Sequence, residues 1–158
     1  MSRQPKTARQ LLNAKPAAVA GVIRVAPGDT VLSALELMRA KNIGAVIVLD
    51  GGAFSGILTE RDYARKVELE GQAARACLVH QIMTAHAIVY AAPSDSVDRC
   101  RALMMQHHVR HLPVLENGDI QGVLSVRDVL EAIIAEDRRA IRELETDRLL
   151  MTTNTGTY

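Results

Sequence analysis

Gly56-Ile57-Leu58-Thr59-Glu60-Arg61-Asp62 and Gly122-Val123-Leu124-Ser125-Val126-Arg127-Asp128 place the same groups at the same spacing. A hydroxyl residue is followed by an arginine two positions on and an aspartate at the third. In each segment an apolar run gives way to the hydroxyl, so a strand ends where a helix begins. A Ser or Thr with an acid three residues later resembles a capping box, which stabilises any helix start. Capping accounts for the hydroxyl and the carboxylate, but not for Arg61 and Arg127. A cation in the first helical turn opposes the helix dipole, and a phosphate at the outward-pointing N–H groups would explain it. An ionised aspartate only accepts hydrogen bonds, which suits ribose hydroxyls. Thr59, Arg61, Ser125 and Arg127 therefore suit phosphate, and Asp62 and Asp128 suit a sugar. This nucleotide-shaped set stands beside plain helix capping as the alternative.

Other reactive residues form weaker patterns. His107 and His111 are four apart, with His108 between them. They lack a Cys or carboxylate in metal-ligand spacing, and Pro113 argues that the helix ends before His111. They read as histidines at a helix C-terminus, with no metal. Cys100 stands on an apolar stripe and reads as a small core residue. Cys77 lies between the two segments with only Arg75 as a basic neighbour, so an inert thiol is expected. No Ser-His-Asp, paired-carboxylate or phosphate-loop arrangement is present, and the expectation is a protein without catalysis.

The elements that position the doubled junction come from an internal repeat. Residues 22–63 align with 88–129 at a constant offset of 66 without a gap, and 13 of 42 positions are identical. That is far more than one register gives by chance. Each copy starts with a short apolar run (Val22, Ile23, Val25; Ile88, Val89, Tyr90), ended by Pro27 or Pro93. Asp29-Thr30 and Asp95-Ser96 offer N-cap oxygens. Val31, Ala34, Leu35 and Met38 then fall at helical spacing, as do Val97, Cys100 and Met104. Strands Ala45–Leu49 and Phe54–Leu58 follow, joined at Asp50-Gly51-Gly52. Their counterparts Leu112–Leu115 and Ile120–Leu124 are joined at Asn117-Gly118, good hairpin signals. A second helix runs from Arg61 to about Glu70, stopped by Gly71, and from Arg127 onward. The unit is β-α-β-β-α.

One such unit is too small to bury both faces of three strands. The expected fold is therefore α+β, with two β-α-β-β-α repeats packed in pseudo-two-fold symmetry. The boundaries read as a flexible start over 1–7, repeat one over 8–71, a linker over 72–86 and repeat two over 87–137. A C-terminal helix extension and tail cover 138–158. Val129 to Leu150 contains no Gly or Pro, so the last helix is long, with Ile133, Ile134, Ile141, Leu144 and Leu149 among heavily charged residues. A helix projecting past a small domain suggests self-association, with a solvated, partly frayed tail as the alternative. Thr152–Tyr158 reads as a disordered tail.

Composition narrows the partners. Lys+Arg is 19 against 18 Asp+Glu, without the basic excess of a nucleic-acid binder. One Phe and no Trp leave few faces for stacking on bases. No apolar run approaches a membrane span. The start, with Arg3, Lys6, Arg9 and Lys15 and no acid before Asp29, has the character of a transit peptide or of an ordinary basic terminus. The absence of an apolar leader core and of a disulfide framework points to a cytoplasmic protein with free thiols.

The chain resembles the cystathionine-β-synthase (CBS) domain family, as a stand-alone tandem pair, over about Ala8 to Ile134. The resemblance rests on Ala26-Pro27-Gly28-Asp29-Thr30-Val31, Ile82-Met83-Thr84, Val109-Arg110-His111-Leu112-Pro113-Val114 and the two Gly-x-x-[Thr/Ser]-x-Arg-Asp junctions. It implies a cleft between the repeats for an adenosine-containing ligand. AMP is favoured, with ADP, ATP, NAD(H) and S-adenosylmethionine as alternatives. Asp62 and Asp128 would bind ribose. Thr59, Arg61, Ser125 and Arg127, joined by Arg110 and His111, would bind phosphate. The adenine pocket would come from Gly21, Ile23, Thr84, Ala87 and Val89. Copy one has Gly44 and Ala45 where copy two has Arg110 and His111, so the two sites should be unequal. With no effector domain in these residues, a homodimer acting on a separate protein target is expected. A ligand-independent interaction protein is the other class.

Overall fold

The computed structural model describes residues 6–153, and side chains as far as Met151. The order of elements is α1 (Ala8–Asn13), β1 (Arg24–Val25), α2 (Val31–Lys41), β2 (Ala45–Asp50), β3 (Ala53–Thr59), α3 (Glu60–Tyr63), α4 (Val79–Ile82), α5 (Val97–His107), β4 (His111–Glu116), β5 (Asp119–Ser125) and α6 (Val126–Thr153). The two copies thus form an α+β pair followed by a long helix.

In copy one, β1 runs parallel to β2, and β2 pairs antiparallel with β3 from Ala45↔Thr59 to Asp50↔Ala53. Copy two keeps the hairpin, β4 with β5, from His111↔Ser125 to Glu116↔Asp119. Both hairpins slip register at the same place, between Val48 and Leu49 and between Val114 and Leu115. The expected strand over Ile88–Tyr90 does not form. Only Ala91 bridges to Val114, donating to the Pro113 carbonyl at 2.9 Å. Ala87 has φ of 52°, which breaks the extended run just before Ile88.

Thr30 and Ser96 accept from Ser33 N–H and Arg99 N–H, capping α2 and α5 as the sequence indicates. Each helix ends in a left-handed residue, Asn42 or His108. Helix α3 is short and continues over Ala64–Glu68 as wider π-type turns, with Leu69 N–H donating to the Ala64 carbonyl.

The helix preceding each copy packs on the other copy. Ala8 and Leu11 of α1 lie in the core of Val97, Leu103, Leu112 and Leu124. Val79 and Ile82 of α4 lie in the core of Val31, Met38, Val46 and Leu58. The backbone bonds match: Ala8 N–H to Asp95 O and Arg9 N–H to Pro93 O, against Val79 N–H to Asp29 O and His80 N–H to Pro27 O. So α1, expected with repeat one, completes the core of repeat two. Lys6 and Thr7, expected to be flexible, are held there, since Val97 N–H donates to Lys6 O and Thr7 caps α1. The sheets meet through Ala45, Ile47 and Ile57, against which Ile120 and Val123 pack. Met38, Ile47, Leu58, Leu112 and Leu124 are fully buried, each stabilising the fold by about 1.5–3 kcal/mol.

Helix α6 is continuous, as its sequence indicates. Val129 and Ala132 are buried on copy two, and every residue from Ile134 to Met151 is exposed. The tail beyond Thr153 lies outside the described residues. Among the described residues no helix is long and apolar enough to cross a membrane.

Candidate functional site

The hairpin β2–β3 delivers Thr59 to the start of α3, where the capping box forms. Thr59 N–H and Oγ1 both donate to Asp62 Oδ2, at 3.0 and 2.9 Å, and Asp62 N–H donates to Thr59 Oγ1. Asp62 Oδ1 pairs with Lys66 Nζ at 2.8 Å, one helical turn on. Lys66 also donates to the Ile82 carbonyl at 2.7 Å, tying this junction to the segment that leads to Thr84.

Thr84 is fixed by β3, exchanging backbone bonds with Ile57 at 2.9 and 3.0 Å. Gly56 permits this approach, because a Cβ there would lie 2.7 Å from the Thr84 carbonyl oxygen. Arg110 and His111 arrive from copy two at the start of β4. A cleft of about 700 Å³ lies between these three pieces of chain, within the usual size range of small-molecule sites.

Eight expected residues line this cleft: Thr59, Arg61, Asp62, Thr84, Ala87, Val89, Arg110 and His111. Arg61 donates from Nη1 to the His108 carbonyl at 2.9 Å. Its charge thus meets the C-terminal end of α5, where a cation is favoured, and four of its five N–H donors are outside that bond. Glu60, Arg65 and His107 also line the cleft and were missed. The doubled motif gave no signal for them, since their counterparts in the other copy differ.

Gly44 explains the asymmetry between Gly44-Ala45 and Arg110-His111. A Cβ on Gly44 would lie 3.1 Å from His111 Cε1 and 3.2 Å from Glu60 Oε2. The space that a side chain would take in copy one is filled by His111 of copy two. Burial holds the His111 pKa below the ordinary histidine value. Arg110, Lys15 and Arg61 push the same way, and Asp128 opposes them.

The second junction forms the same box, with Ser125 N–H and Oγ donating to Asp128 Oδ2 at 2.7 and 3.0 Å. It lies outside the 700 Å³ cleft, as Ser125, Arg127 and Asp128 do not line it. Lys15 Nζ sits 2.9 Å from Asp128 Oδ2. Arg127 is exposed. Gly21 faces a separate hollow of about 390 Å³ beside Arg9, Leu12 and Gln121, while Ile23 packs on the core of copy one. These five expected residues therefore do not line the cleft that the other eight share, although Ser125 pairs with His111 across β4 and β5.

Chemically, the cleft can hold a polar anion: Arg61, Arg65 and Arg110 stand on its walls, and Ile57, Ile88 and Val89 supply apolar surface. Among the described residues no group of three His, Cys, Asp or Glu could hold a metal.

Comparison with known proteins agrees with this architecture. A family model described as "CBS domain" matches residues 18–69 and 79–135. The CBS domain-containing protein CBSX3, mitochondrial, of Arabidopsis thaliana is 35% identical over 120 residues, 73% of this chain and 58% of that relative. This chain thus spans less than two thirds of that protein's length. A solved structure of a protein with CBS domains from Burkholderia ambifaria, described under signal transduction, superposes with a TM-score of 0.77 at 45% identity, covering 82% of this chain and 95% of that one. At 19% identity the fold is shared with the CBS domain pair of protein MJ0100, solved in complex with 5′-methylthioadenosine and S-adenosyl-L-methionine. That superposition has a TM-score of 0.70 and covers 84% of this chain and 99% of that one. The two matched segments coincide with the copies related by the 66-residue offset, and the chain belongs to the CBS domain family as a pair of CBS repeats.

Proposed function

We propose that this CBS pair is a non-catalytic regulatory module that binds an adenosine-containing nucleotide, AMP foremost, in the cleft at Asp62. The carrying observation is convergence: the Thr59–Asp62 junction, the Thr84–Val89 segment and the Arg110-His111 pair meet on one cleft from three distant parts of the chain. Asp62 holds ribose, Thr59, Arg61, Arg110 and His111 face phosphate, and Thr84, Ala87 and Val89 enclose adenine. Both ligands in the MJ0100 complex carry adenosine, which supports this class and keeps S-adenosylmethionine and NAD(H) in the comparison. The module works as a cytoplasmic homodimer on a separate protein, and ligand shifts it only through different affinity for two states.

A second reading has its own observation. Both carboxylates are already engaged, Asp62 by Thr59 and Lys66 and Asp128 by Ser125 and Lys15. On that reading the junctions are helix caps and the pair is an interaction protein. A thermal-shift panel of AMP, ADP, ATP, NAD, NADH and S-adenosylmethionine separates the two. Ligand at 100 times its Kd adds about 2.7 kcal/mol, a shift of roughly 2–4 °C at this size. A shift with one compound supports the sensor; no shift with any, after carried-over ligand is removed, supports the interaction protein.

A further inference from the structure

The exposed part of α6, from Ile134 to Met151, rises about 27 Å at 1.5 Å per residue and touches neither core. Four of its six large apolar residues share one seam, while Leu149 and Leu150 lie off it. Ile134 and Ile141 stand at a positions and Leu144 and Met151 at d positions of a heptad, and they are 48, 55, 70 and 74% exposed. Asp137 and Arg148 occupy the remaining d and a positions of that seam. A charged residue in such a seam costs stability but specifies register and partner.

We infer that α6 pairs antiparallel with the same helix of a second copy, in the register that sets Asp137 against the partner's Arg148. This rests on the self-association in the proposed function and names its surface. In a parallel pair, Asp137 would face the partner's Asp137 and Arg148 the partner's Arg148, two like-charge contacts in the seam. Antiparallel pairing with Ile141 opposite the partner's Leu144 removes both. It sets Ile134 opposite the partner's Met151, and Asp137 opposite the partner's Arg148. On the flank, Arg138 comes beside the partner's Glu145. The two-fold axis between the helices repeats every contact, so the face complements itself.

Sedimentation equilibrium on the full chain tests this with Asp137→Arg, Arg148→Asp and the double reversal. All the altered side chains are exposed, and circular dichroism confirms the fold of each. The expected result is a wild-type dimer, a dissociation constant raised by at least about tenfold in each single variant, and recovery in the double. A wild-type dimer that neither single reversal weakens, or singles that the double does not rescue, overturns the interface and leaves self-association standing. A monomeric wild-type chain overturns both. None of these outcomes depends on nucleotide, so they do not bear on the cleft.

Discussion

Lys15 and Asp128 form an ion pair, Nζ to Oδ2 at 2.9 Å, between the end of the N-terminal helix and the second junction. Both side chains are mostly covered, at 14 and 20% exposure. Lys15 lies just past α1, the helix that packs on copy two rather than on its own copy. Asp128 is the exact sequence counterpart of Asp62, yet a lysine from outside the repeat holds it. The two junctions are alike in motif and unlike in what surrounds them.

On the proposed function, this asymmetry predicts that the wild-type chain takes one nucleotide, at Asp62. Lys15→Met removes the cation from the Asp128 carboxylate, which Ser125 still caps, while keeping an aliphatic stem. Calorimetry should then find a second, weaker site. Unchanged stoichiometry of one would show that Lys15 does not block it.

His111 makes stability depend on pH. Its folded pKa lies below the unfolded value near 6.5, so the unfolded chain takes up the proton first as pH falls. The stability held by neutral His111 is complete above that value and is lost as pH drops through the folded pKa. Urea midpoints of the wild type and His111→Gln, taken from pH 8 to 5, should diverge on the acid side, with the wild type falling more steeply. Parallel profiles would contradict this. Because Lys15 lowers the same pKa, Lys15→Met should raise the His111 midpoint seen by NMR.

Gly56 is a packing requirement rather than a turn. Its Cβ would collide with a backbone carbonyl, Thr84 O, at 2.7 Å and press on Met83 Sδ at 3.2 Å. Gly56→Ala should cost about 1–3 kcal/mol by overpacking and weaken nucleotide binding through Thr84. Gly28→Ala, with nothing within 4 Å, is the control expected to change little. Equal denaturation midpoints for the two would refute the account of Gly56.

Cys100 is fully buried, and burial, reinforced by Asp95, pushes its thiol up to about 11. Since the thiolate is the reactive form, Cys100 should resist a disulfide reagent at pH 8 until the chain unfolds. Mass spectrometry of labelled native protein reads this directly. Rapid labelling of Cys100 under native conditions would place it outside the core.

Much of the fold was legible because the repeat is ungapped. The caps at Thr30 and Ser96, both hairpins and the long last helix each stand in the sequence as local patterns. The packing of α1 on copy two was not legible. Ala8–Asn13 and Val79–Ile82 lie outside the aligned segments, and an apolar helix face does not say which core it meets. Ile88–Tyr90 matched a strand in composition, but the left-handed Ala87 was invisible. At the site, Lys66 had a readable signal in its four-residue spacing from Asp62. Lys15 had none, since its contact with Asp128 spans 113 positions of chain. The role of Gly44 became clear only from the His111 ring facing it.

The central claim is that nucleotide binds at Asp62 and not at Asp128. The direct measurement is isothermal titration of AMP into the wild type, Asp62→Ala and Asp128→Ala, each checked by circular dichroism. One site in the wild type, lost in Asp62→Ala and kept in Asp128→Ala, is the predicted result. Equal affinity in the wild type and Asp62→Ala would contradict it.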